Sequence, residues 1–326
     1  MTQKTALILG ATGGIGGEVA ASLSQHGWQI NALHRDPASA SRRNRTAPIK
    51  WIPGDALNPA DVIKAAQGAS LIVHAVNPPG YRNWAQWVLP MLDSSISAAR
   101  ASGARILLPG TIYNYGPDAF PILSEDSPQN PLTRKGKIRA EMERRLRAAA
   151  ASGVRSLIVR AGDFFGPAAA GNNWFSQGLV KPAKRVTSIS YPGRRGLGHA
   201  WAYLPDLAET MRQLAEREST LGPFETFHFA GHWDADGTQM TQAIRSAAGD
   251  PNIAVRGFPW PLVTLLSPFV TLFREMREMR YLWAQRLQLT NERLLGVLRS
   301  EPHTPLEQAV RTTLTGLGCL QSQAPA

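Results

Sequence analysis

Apolar residues in the first half of the chain fall into short runs, and a helical pattern follows most of them. The first run leads through several glycines into a stretch whose apolar residues, Val19, Ala20 and Leu23, share one helical face. Later runs such as 71–73 and 106–108 show no polar face and are typical of strands buried on both sides. This alternation predicts an α/β fold with a doubly wound parallel sheet covered by helices on both faces.

Single glycines separate the predicted helices from the strands that follow them. They stand at four places: Gly27, Gly68, Gly103 and Gly153. Glycine adopts the left-handed conformation at little cost, and it therefore commonly ends a helix. The repeated unit covers residues 1–165. Loops rich in proline and glycine dominate residues 166–326. We expect most of this region to form a smaller, irregular domain, with a later strand that returns to the sheet.

The turn after the first strand carries the clearest chemical signal in the chain. Its glycines would let the backbone approach a pyrophosphate closely, and the following helix would offer free N–H groups and the positive end of its dipole. A glycine motif alone is weak, but this one lies between a predicted strand and a predicted helix. We expect it to bind a dinucleotide through Gly10, Thr12, Gly13, Gly14, Ile15 and Gly16.

Composition narrows the class of protein. The 326 residues are 43% hydrophobic and 18% charged, which is typical of a globular chain. The net charge is +11, but the basic residues are scattered and no nucleic-acid motif occurs, so we expect an enzyme whose pocket favours an anionic small molecule. The single cysteine excludes an intramolecular disulfide and a cysteine-based metal site. We expect no metal and a reducing, cytoplasmic setting.

The second half contains one long apolar run and one apolar stripe. The run, residues 258–273, is interrupted by three prolines and is too short to span a bilayer, so we expect no integral membrane segment. A core or substrate-pocket role is preferred to contact with a membrane surface. The stripe recurs at helical spacing and predicts a buried helix face formed by Phe269, Phe273, Met276, Met279, Trp283 and Leu287.

Together these motifs resemble the extended short-chain dehydrogenase/reductase family of NAD(P)-dependent epimerases, dehydratases and reductases. The spacing of Gly10, Gly13 and Gly16 is that of the family, and segments 114–117 and 199–208 also match its patterns. The resemblance implies a Rossmann-type NAD(P)-binding domain followed by a substrate-binding domain. It further implies coenzyme contacts from Asp55, Ala56 and Ala75, and an active-site role for Thr111. The helices predicted at 84–100 and 136–150 resemble those with which the family builds dimers, so a homodimer stays open.

The end of the second strand bears on which coenzyme is bound. An acidic residue there would bind the ribose of NAD, whereas a basic residue would suit the 2′-phosphate of NADP. The chain has His34 and Arg35 at this place, with Arg42, Arg43 and Arg45 following. A guanidinium donates two hydrogen bonds to a phosphate in a fixed geometry, so we expect NADP(H). NAD(H) is the alternative, because Asp36 could hold the ribose instead.

The chain departs from the family at its catalytic helix. The family's Tyr-x-x-x-Lys pair is absent, and the alignment places Lys135 at the tyrosine position and Arg139 at the lysine position. Residues four apart share a helix face, so both can point toward the coenzyme crevice. In the family the tyrosine exchanges a proton with the substrate oxygen, and the lysine holds the nicotinamide ribose.

Lys135 is the predicted proton donor. Lysine and tyrosine have similar reference pKa values, about 10.4 and about 10, and partial burial beside a guanidinium would lower the pKa of the lysine. We therefore expect NADPH-dependent reduction of a small carbonyl compound, with Thr111 orienting the carbonyl and Arg139 binding ribose hydroxyls. Tyr113 is an alternative donor. A further alternative is that both basic residues are solvated surface charges.

Two other possibilities follow from the sequence. The missing tyrosine would suit a non-catalytic NADP(H)-binding sensor or regulatory protein, whereas the matching second-half segments favour an enzyme. His199 and Asp163 are further candidates for the pocket wall. The other histidines of the second half, His228 and His232, show no spacing that requires a metal site.

Overall fold

The architecture rests on one large parallel sheet. A computed structural model describes residues 3–43, 47–78, 84–169 and 173–320. The strands in these ranges are β1 (Thr5–Leu9), β2 (Gln29–His34), β3 (Ile49–Pro53), β4 (Leu71–His74), β5 (Arg105–Thr111), β6 (Ile122–Leu123), β7 (Ser156–Ala161), β8 (Asp163–Phe165), β9 (Ser188–Tyr191), β10 (His199–Tyr203), β11 (Phe224–Phe229), β12 (His232–Asp234), β13 (Ala254–Gly257) and β14 (Gln288–Leu289).

Helices connect and cover these strands. They are α1 (Gly14–Gln25), α2 (Pro37–Arg43), α3 (Pro59–Ala65), α4 (Trp84–Ser102), α5 (Arg134–Ala150), α6 (Leu204–Glu216), α7 (Gln239–Ala248), α8 (Trp260–Leu266), α9 (Thr271–Glu278), α10 (Tyr281–Ala284), α11 (Glu292–Leu298) and α12 (Leu306–Gly316). Short 3-10 turns lie at Ile112–Asn114, Pro117–Ala119 and Glu218–Thr220, and a π-helical turn lies at Phe175–Leu179. Among the described residues, no helix is both long enough and apolar enough to cross a lipid bilayer.

The large sheet has the strand order β11-β7-β5-β4-β1-β2-β3, and all its pairs are parallel. The expected doubly wound α/β fold is therefore confirmed. The chain runs outward from β1 in both directions, and Leu9 pairs with Leu33 of β2 on one side and with His74 of β4 on the other. The carboxyl ends of all seven strands meet at one edge, where this fold class opens a ligand crevice.

Helices cover both faces of the sheet, as the sequence predicts. One face packs on α1, α6 and α11, and the apolar residues Val19, Ala20 and Leu23 lie in its core. The other face packs on α3, α4 and α5. The strand β11 and the helices α6 and α11 come from the second half of the chain, so the sheet domain includes residues well beyond 165. The later strand that returns to the sheet is β11.

The four glycines after helices adopt the left-handed conformation that the sequence predicts. Their φ angles are +82° at Gly27, +73° at Gly68, +74° at Gly103 and +83° at Gly153. A left-handed glycine thus ends the helix and redirects the chain toward the next strand at four places.

The second half contains a third apolar core and small two- and three-stranded sheets. The prediction of one helix through the apolar stripe is wrong, because α9 ends at Glu278 and a separate short helix, α10, begins at Tyr281. Met279, Trp283 and Leu287 are buried, but Phe269 precedes α9 and is 85% exposed. The residues of the stripe are spaced as in a helix, but only those in its carboxyl-terminal part are buried in the third core.

Candidate functional site

The glycine turn is packed closely against the protein's own backbone. A Cβ atom on Gly16 would lie 2.3 Å from the carbonyl oxygen of Gly10, so no larger residue fits there. Gly10 has a φ of +93°, and a Cβ on it would lie 2.5 Å from the carbonyl oxygen of Ala75. The turn at the end of β1 therefore lies directly against the chain that leaves β4, at the point where the chain direction along the sheet reverses.

The N-terminus of α1 fits the pyrophosphate of a dinucleotide. The helix starts at Gly14, and its N-cap residue is Gly13, which has no side chain to cap the helix. The first turn contains no acidic residue. Its first N–H groups and the positive end of its dipole therefore face the turn without a competing carboxylate. Thr12 and Gly13 are exposed, while Gly14 and Ile15 are half-buried. The arrangement suits a diphosphate that approaches the helix end.

At the end of β2, Arg35 and Asp36 have different environments. Arg35 is exposed at the carboxyl end of the strand. The carboxylate of Asp36 accepts a hydrogen bond of 3.0 Å from the N–H of Ser39 and so caps the first turn of α2. Arg42 and Arg43 are exposed at the end of α2, and Arg45 lies outside the described residues.

The residues expected on the adenosine side also follow strand ends. Asp55 follows β3, and its carboxylate accepts a 3.0 Å hydrogen bond from the N–H of Leu57. Its own N–H donates to the carboxylate of Asp61 at 3.0 Å. Asp55, Ala56 and Ala75 are half-buried at the carboxyl edge of the sheet. Their coenzyme contacts remain predictions.

A cavity lies near the carboxyl ends of β5 and β7. Its polar wall contains Thr111, Tyr113, Lys135, Asp163, Asn173, Gln177 and Glu275. Its larger apolar residues are Phe164, Trp174, Leu272, Met276 and Met279. The structure therefore brings three of the four predicted catalytic residues to one cavity, with Arg139 the exception.

Lys135 forms a buried ion pair that the sequence did not reveal. Its Nζ lies 2.9 Å from Oε2 of Glu275, and the two side chains are only 4% and 3% exposed. Burial lowers the pKa of Lys135, and the negative charge of Glu275 opposes this shift. Lys135 also lies in the first turn of α5, where the helix dipole disfavours a positive charge. The neighbouring guanidinium that lowers its pKa belongs to Arg134, not to Arg139.

Arg139 points to a different part of the crevice. Its guanidinium lies 5.4 Å from the ring centre of Trp84, at the start of α4. Burial, together with the charge of Arg139, lowers the pKa of His74 to about 3. Arg139 therefore lies toward the end of β4, where the resemblance expects the coenzyme. Its contact with a ribose remains a prediction.

Asp163 and His199 form a second buried pair next to the cavity. Oδ2 of Asp163 lies 2.9 Å from Nε2 of His199, and both residues are buried. The imidazole of His199 stacks on Trp283 with 3.7 Å between ring centres. Asp163 lies in the cavity wall and His199 lies behind it, so only one of these two candidates reaches the ligand space directly.

Two further tyrosines, Tyr115 and Tyr203, are buried. The hydroxyl of Tyr115 lies 2.6 Å from Nη1 of Arg160 and 2.7 Å from Nε2 of His228, in a fully buried network. Burial raises the pKa of Tyr115, and burial also raises that of Tyr203, to about 12. Among the described residues no group of histidine, cysteine and acidic side chains could hold a metal ion.

The sequence missed the contribution of α9 to the site. Leu272, Glu275 and Met276 of this helix reach the cavity from the second half of the chain. Only the apolar stripe indicated that this region was ordered, and it marked Met276 as part of a buried face. The expectation of a pocket that favours an anionic small molecule stays a prediction. The charged groups in the described cavity wall are the ammonium of Lys135 and the carboxylates of Asp163 and Glu275.

Comparison with known proteins agrees with the fold. An uncharacterized protein, y4nL, from Sinorhizobium fredii is 26% identical over 312 residues, which cover 88% of this chain and 84% of that protein. UDP-glucose 4-epimerase from Bifidobacterium longum, solved with NAD+ and UDP, superposes with a TM-score of 0.72 at 14% identity and covers 97% of this chain and 98% of its own. ADP-L-glycero-D-manno-heptose-6-epimerase from Helicobacter pylori superposes with a TM-score of 0.73 at 11% identity, covering 98% and 97%.

These similarities confirm the resemblance to extended short-chain dehydrogenases/reductases at the level of the fold. A family profile described as NAD(P)H-binding matches residues 10–187, which is more than half of the chain. The match begins in the glycine turn and includes Thr111, Lys135 and Asp163. The chain therefore belongs to the NAD(P)H-binding family.

Proposed function

We propose that this protein is an NADPH-dependent reductase of a small carbonyl compound, with Lys135 as the proton donor. The observation that carries the proposal is the position of Lys135. Its ammonium is buried in a cavity wall beside Thr111 and Tyr113, near the carboxyl end of the sheet. Burial lowers the pKa of the ammonium, which makes it a better acid.

The residues of the chain would divide the chemistry as follows. When bound, the reduced nicotinamide supplies the hydride. The hydroxyl of Thr111 orients the substrate carbonyl, and the ammonium of Lys135 gives its proton to the carbonyl oxygen, which becomes a hydroxyl. Lys135 is then a neutral amine and regains a proton from solvent. Glu275 is a positioning residue that holds the ammonium in place through their 2.9 Å contact.

The preference for NADP(H) is supported by the end of β2. Arg35 is exposed there, whereas the carboxylate of Asp36 already caps α2. A guanidinium suits the 2′-phosphate of NADP, and a carboxylate committed to a helix end is less able to bind the ribose hydroxyls of NAD.

The proposal is tested by replacing the proton donor. The variant Lys135→Met should lower kcat for carbonyl reduction by about 10²- to 10⁴-fold, because a general acid contributes about that much. NADPH affinity, measured by fluorescence titration, should change little. The variant Lys137→Met removes an exposed lysine from the same helix and serves as the control. Undiminished activity of Lys135→Met would refute the role of Lys135, and Tyr113→Phe would then test the alternative donor.

A second function is favoured by the same ion pair. The contact with Glu275 could hold Lys135 as a purely structural ammonium, which would suit a non-catalytic NADP(H) sensor. Such a protein would bind oxidised and reduced coenzyme tightly. It would not oxidise NADPH in the presence of any carbonyl compound. Coenzyme binding without turnover across a panel of aldehydes and ketones would therefore favour the sensor.

A further inference from the structure

The cavity beside Lys135 has a charge pattern that bears on its substrate. Its described wall contains one ammonium and two carboxylates, those of Lys135, Asp163 and Glu275. The ammonium is already paired with Glu275. Two arginines also approach Glu275, Arg134 at 2.8 Å and Arg274 at 3.8 Å, but both side chains are more than half exposed and lie outside the described cavity wall.

This pattern is poorly suited to a diphosphate. A diphosphate group carries at least two negative charges and is normally held by several cations or free N–H groups. Here it would meet the carboxylate of Asp163, which is held in the wall by its 2.9 Å contact with His199. Like charges that are partly removed from water repel strongly. The described wall therefore offers a net repulsion to such a ligand.

The rest of the wall combines uncharged polar residues with large apolar ones. The apolar residues include Phe164, Trp174, Met276 and Met279, and methionine side chains adjust readily to ligands of irregular shape. Burial of hydrocarbon against these side chains would stabilise a bound ligand in proportion to the apolar area covered.

An exposed apolar surface continues outward from this wall. Five large side chains on α8, on α9 and between them are 37–85% exposed: Leu262, Leu265, Phe269, Val270 and Leu272. Leu272 belongs to both this surface and the cavity wall. Exposed apolar patches of this kind commonly mark ligand grooves or contact surfaces. Because Leu272 belongs to both, a ligand whose hydrocarbon chain extends out of the cavity would lie along this surface. Such a chain is the occupant that fits the surface.

We propose that the cavity takes an uncharged carbonyl compound with an extended hydrocarbon part, and that it rejects nucleoside-diphosphate sugars. The carbonyl group in this statement rests on the proposed reductase function. The apolar, uncharged character rests on the wall itself. The substrate class thus differs from the UDP named for the structurally similar UDP-glucose 4-epimerase.

The first experiment measures chain-length dependence. The full-length protein is assayed with NADPH and a series of methyl ketones from butan-2-one to decan-2-one, following the absorbance of NADPH. We expect kcat/KM to rise about two- to fourfold with each added methylene, the gain typical of hydrocarbon burial. A kcat/KM that does not depend on chain length would overturn the proposal.

A matched pair of variants locates the effect. Leu272→Ser should lower kcat/KM for decan-2-one about tenfold more than for butan-2-one, because the long chain covers more of the Leu272 side chain. Leu295→Ser, at a leucine of similar exposure on α11, should leave both ketones unchanged. Equal losses for the two ketones, or no loss for either, would contradict a hydrocarbon chain at Leu272.

The last experiment separates this inference from the reductase function. Saturation-transfer NMR with saturating NADP+ reports binding when reduction cannot occur. We expect signals from the alkyl protons of decan-2-one and none from the uracil protons of UDP-glucose; uracil signals would overturn the proposal. If no ketone oxidises NADPH but NMR binding strengthens with chain length, the reductase function fails and the apolar pocket stands. Binding that is independent of chain length overturns the apolar pocket, whether or not NADPH is oxidised.

Discussion

The ammonium of Lys135 lies 2.9 Å from the carboxylate of Glu275, and both side chains are almost completely buried. The two residues belong to α5 and α9, which come from different halves of the chain. Breaking a buried ion pair by removing one partner is normally costly, because the remaining charge loses its compensation. Lysine can avoid this cost by losing its proton, and the charge of Glu275 opposes that loss by raising the pKa of Lys135.

Removal of the negative charge at Glu275 should change the pH dependence of the reaction. Glu275 favours the charged form of Lys135, so Glu275→Gln should lower the pKa of the lysine further. A proton donor acts in its charged form, and the basic limb of the kcat/KM profile should therefore move to lower pH. Above that limb the variant should lose about tenfold in rate for each pH unit of displacement. Glu292→Gln, at an exposed glutamate on α11, should leave the profile unchanged. A uniform loss of rate with no displacement would argue that the pair is purely structural.

The proposed contact of Arg35 with a 2′-phosphate predicts a selective loss of affinity. Arg35→Ala should weaken NADPH binding by about 10- to 100-fold, since a hydrogen bond to a charged group contributes about 1.5–3 kcal/mol. NADH binding should stay within about twofold. Isothermal titration calorimetry with both coenzymes checks the difference, and Arg311→Ala, at an exposed arginine on α12, is the control. Equal weakening of the two coenzymes would place Arg35 elsewhere than at the 2′-phosphate.

The crowding at Gly10 predicts a large effect of one added methyl group. Gly10→Ala combines a left-handed φ of +93° with a Cβ only 2.5 Å from the carbonyl oxygen of Ala75. We expect a loss of about 2–5 kcal/mol in the free energy of unfolding, together with weaker NADPH binding. Gly27→Ala has a similar φ of +82° but open space around its Cβ, so it should cost only about 1–2 kcal/mol. Urea unfolding measures both, and equal losses would show that the contact with Ala75 is unimportant.

Buried histidines predict loss of stability in mild acid. Burial, with a smaller effect of His303, lowers the pKa of His232 from its ordinary 6.5 to about 4. Between these values the unfolded chain binds a proton at this residue and the folded chain does not, so stability falls as the pH drops below 6.5. This one residue should account for about 2 kcal/mol between pH 7 and pH 5.

The variant His232→Gln measures that contribution. It should lose less unfolding free energy between pH 7 and pH 5 than the unaltered protein, as measured in urea at both pH values. His26→Gln, at an exposed histidine, should follow the unaltered protein. A His232→Gln variant with unchanged acid sensitivity would mean that His232 is protonated in the folded state. His74 and His228, whose pKa values burial lowers to about 3, should contribute in the same direction.

The fold and the conformation of the glycine turn followed from local sequence signals. The glycines of the first turn, the glycines that end the helices and the doubly buried strands each act within a few residues, because they reflect backbone conformation and hydrophobic periodicity. Ile138, Met142 and Leu146 of α5 follow the same helical spacing, and all three are buried. Parallel pairing then brings Gly10, Ala75 and Thr111 to one edge of the sheet.

The sequence by itself thus determined the sheet, the glycine turn after β1 and the departure at Lys135. Only the tertiary structure decided what surrounds that lysine. Glu275 lies 140 positions away along the chain, and neither periodicity nor turn chemistry specifies which helix of the second half packs over the sheet edge. The same holds for Leu272, whose dual place in the cavity wall and on the surface depends on how α9 meets the rest of the fold. Local patterns fix conformation, but the chemistry of a site also depends on contacts between distant segments, which form only when the cores pack together.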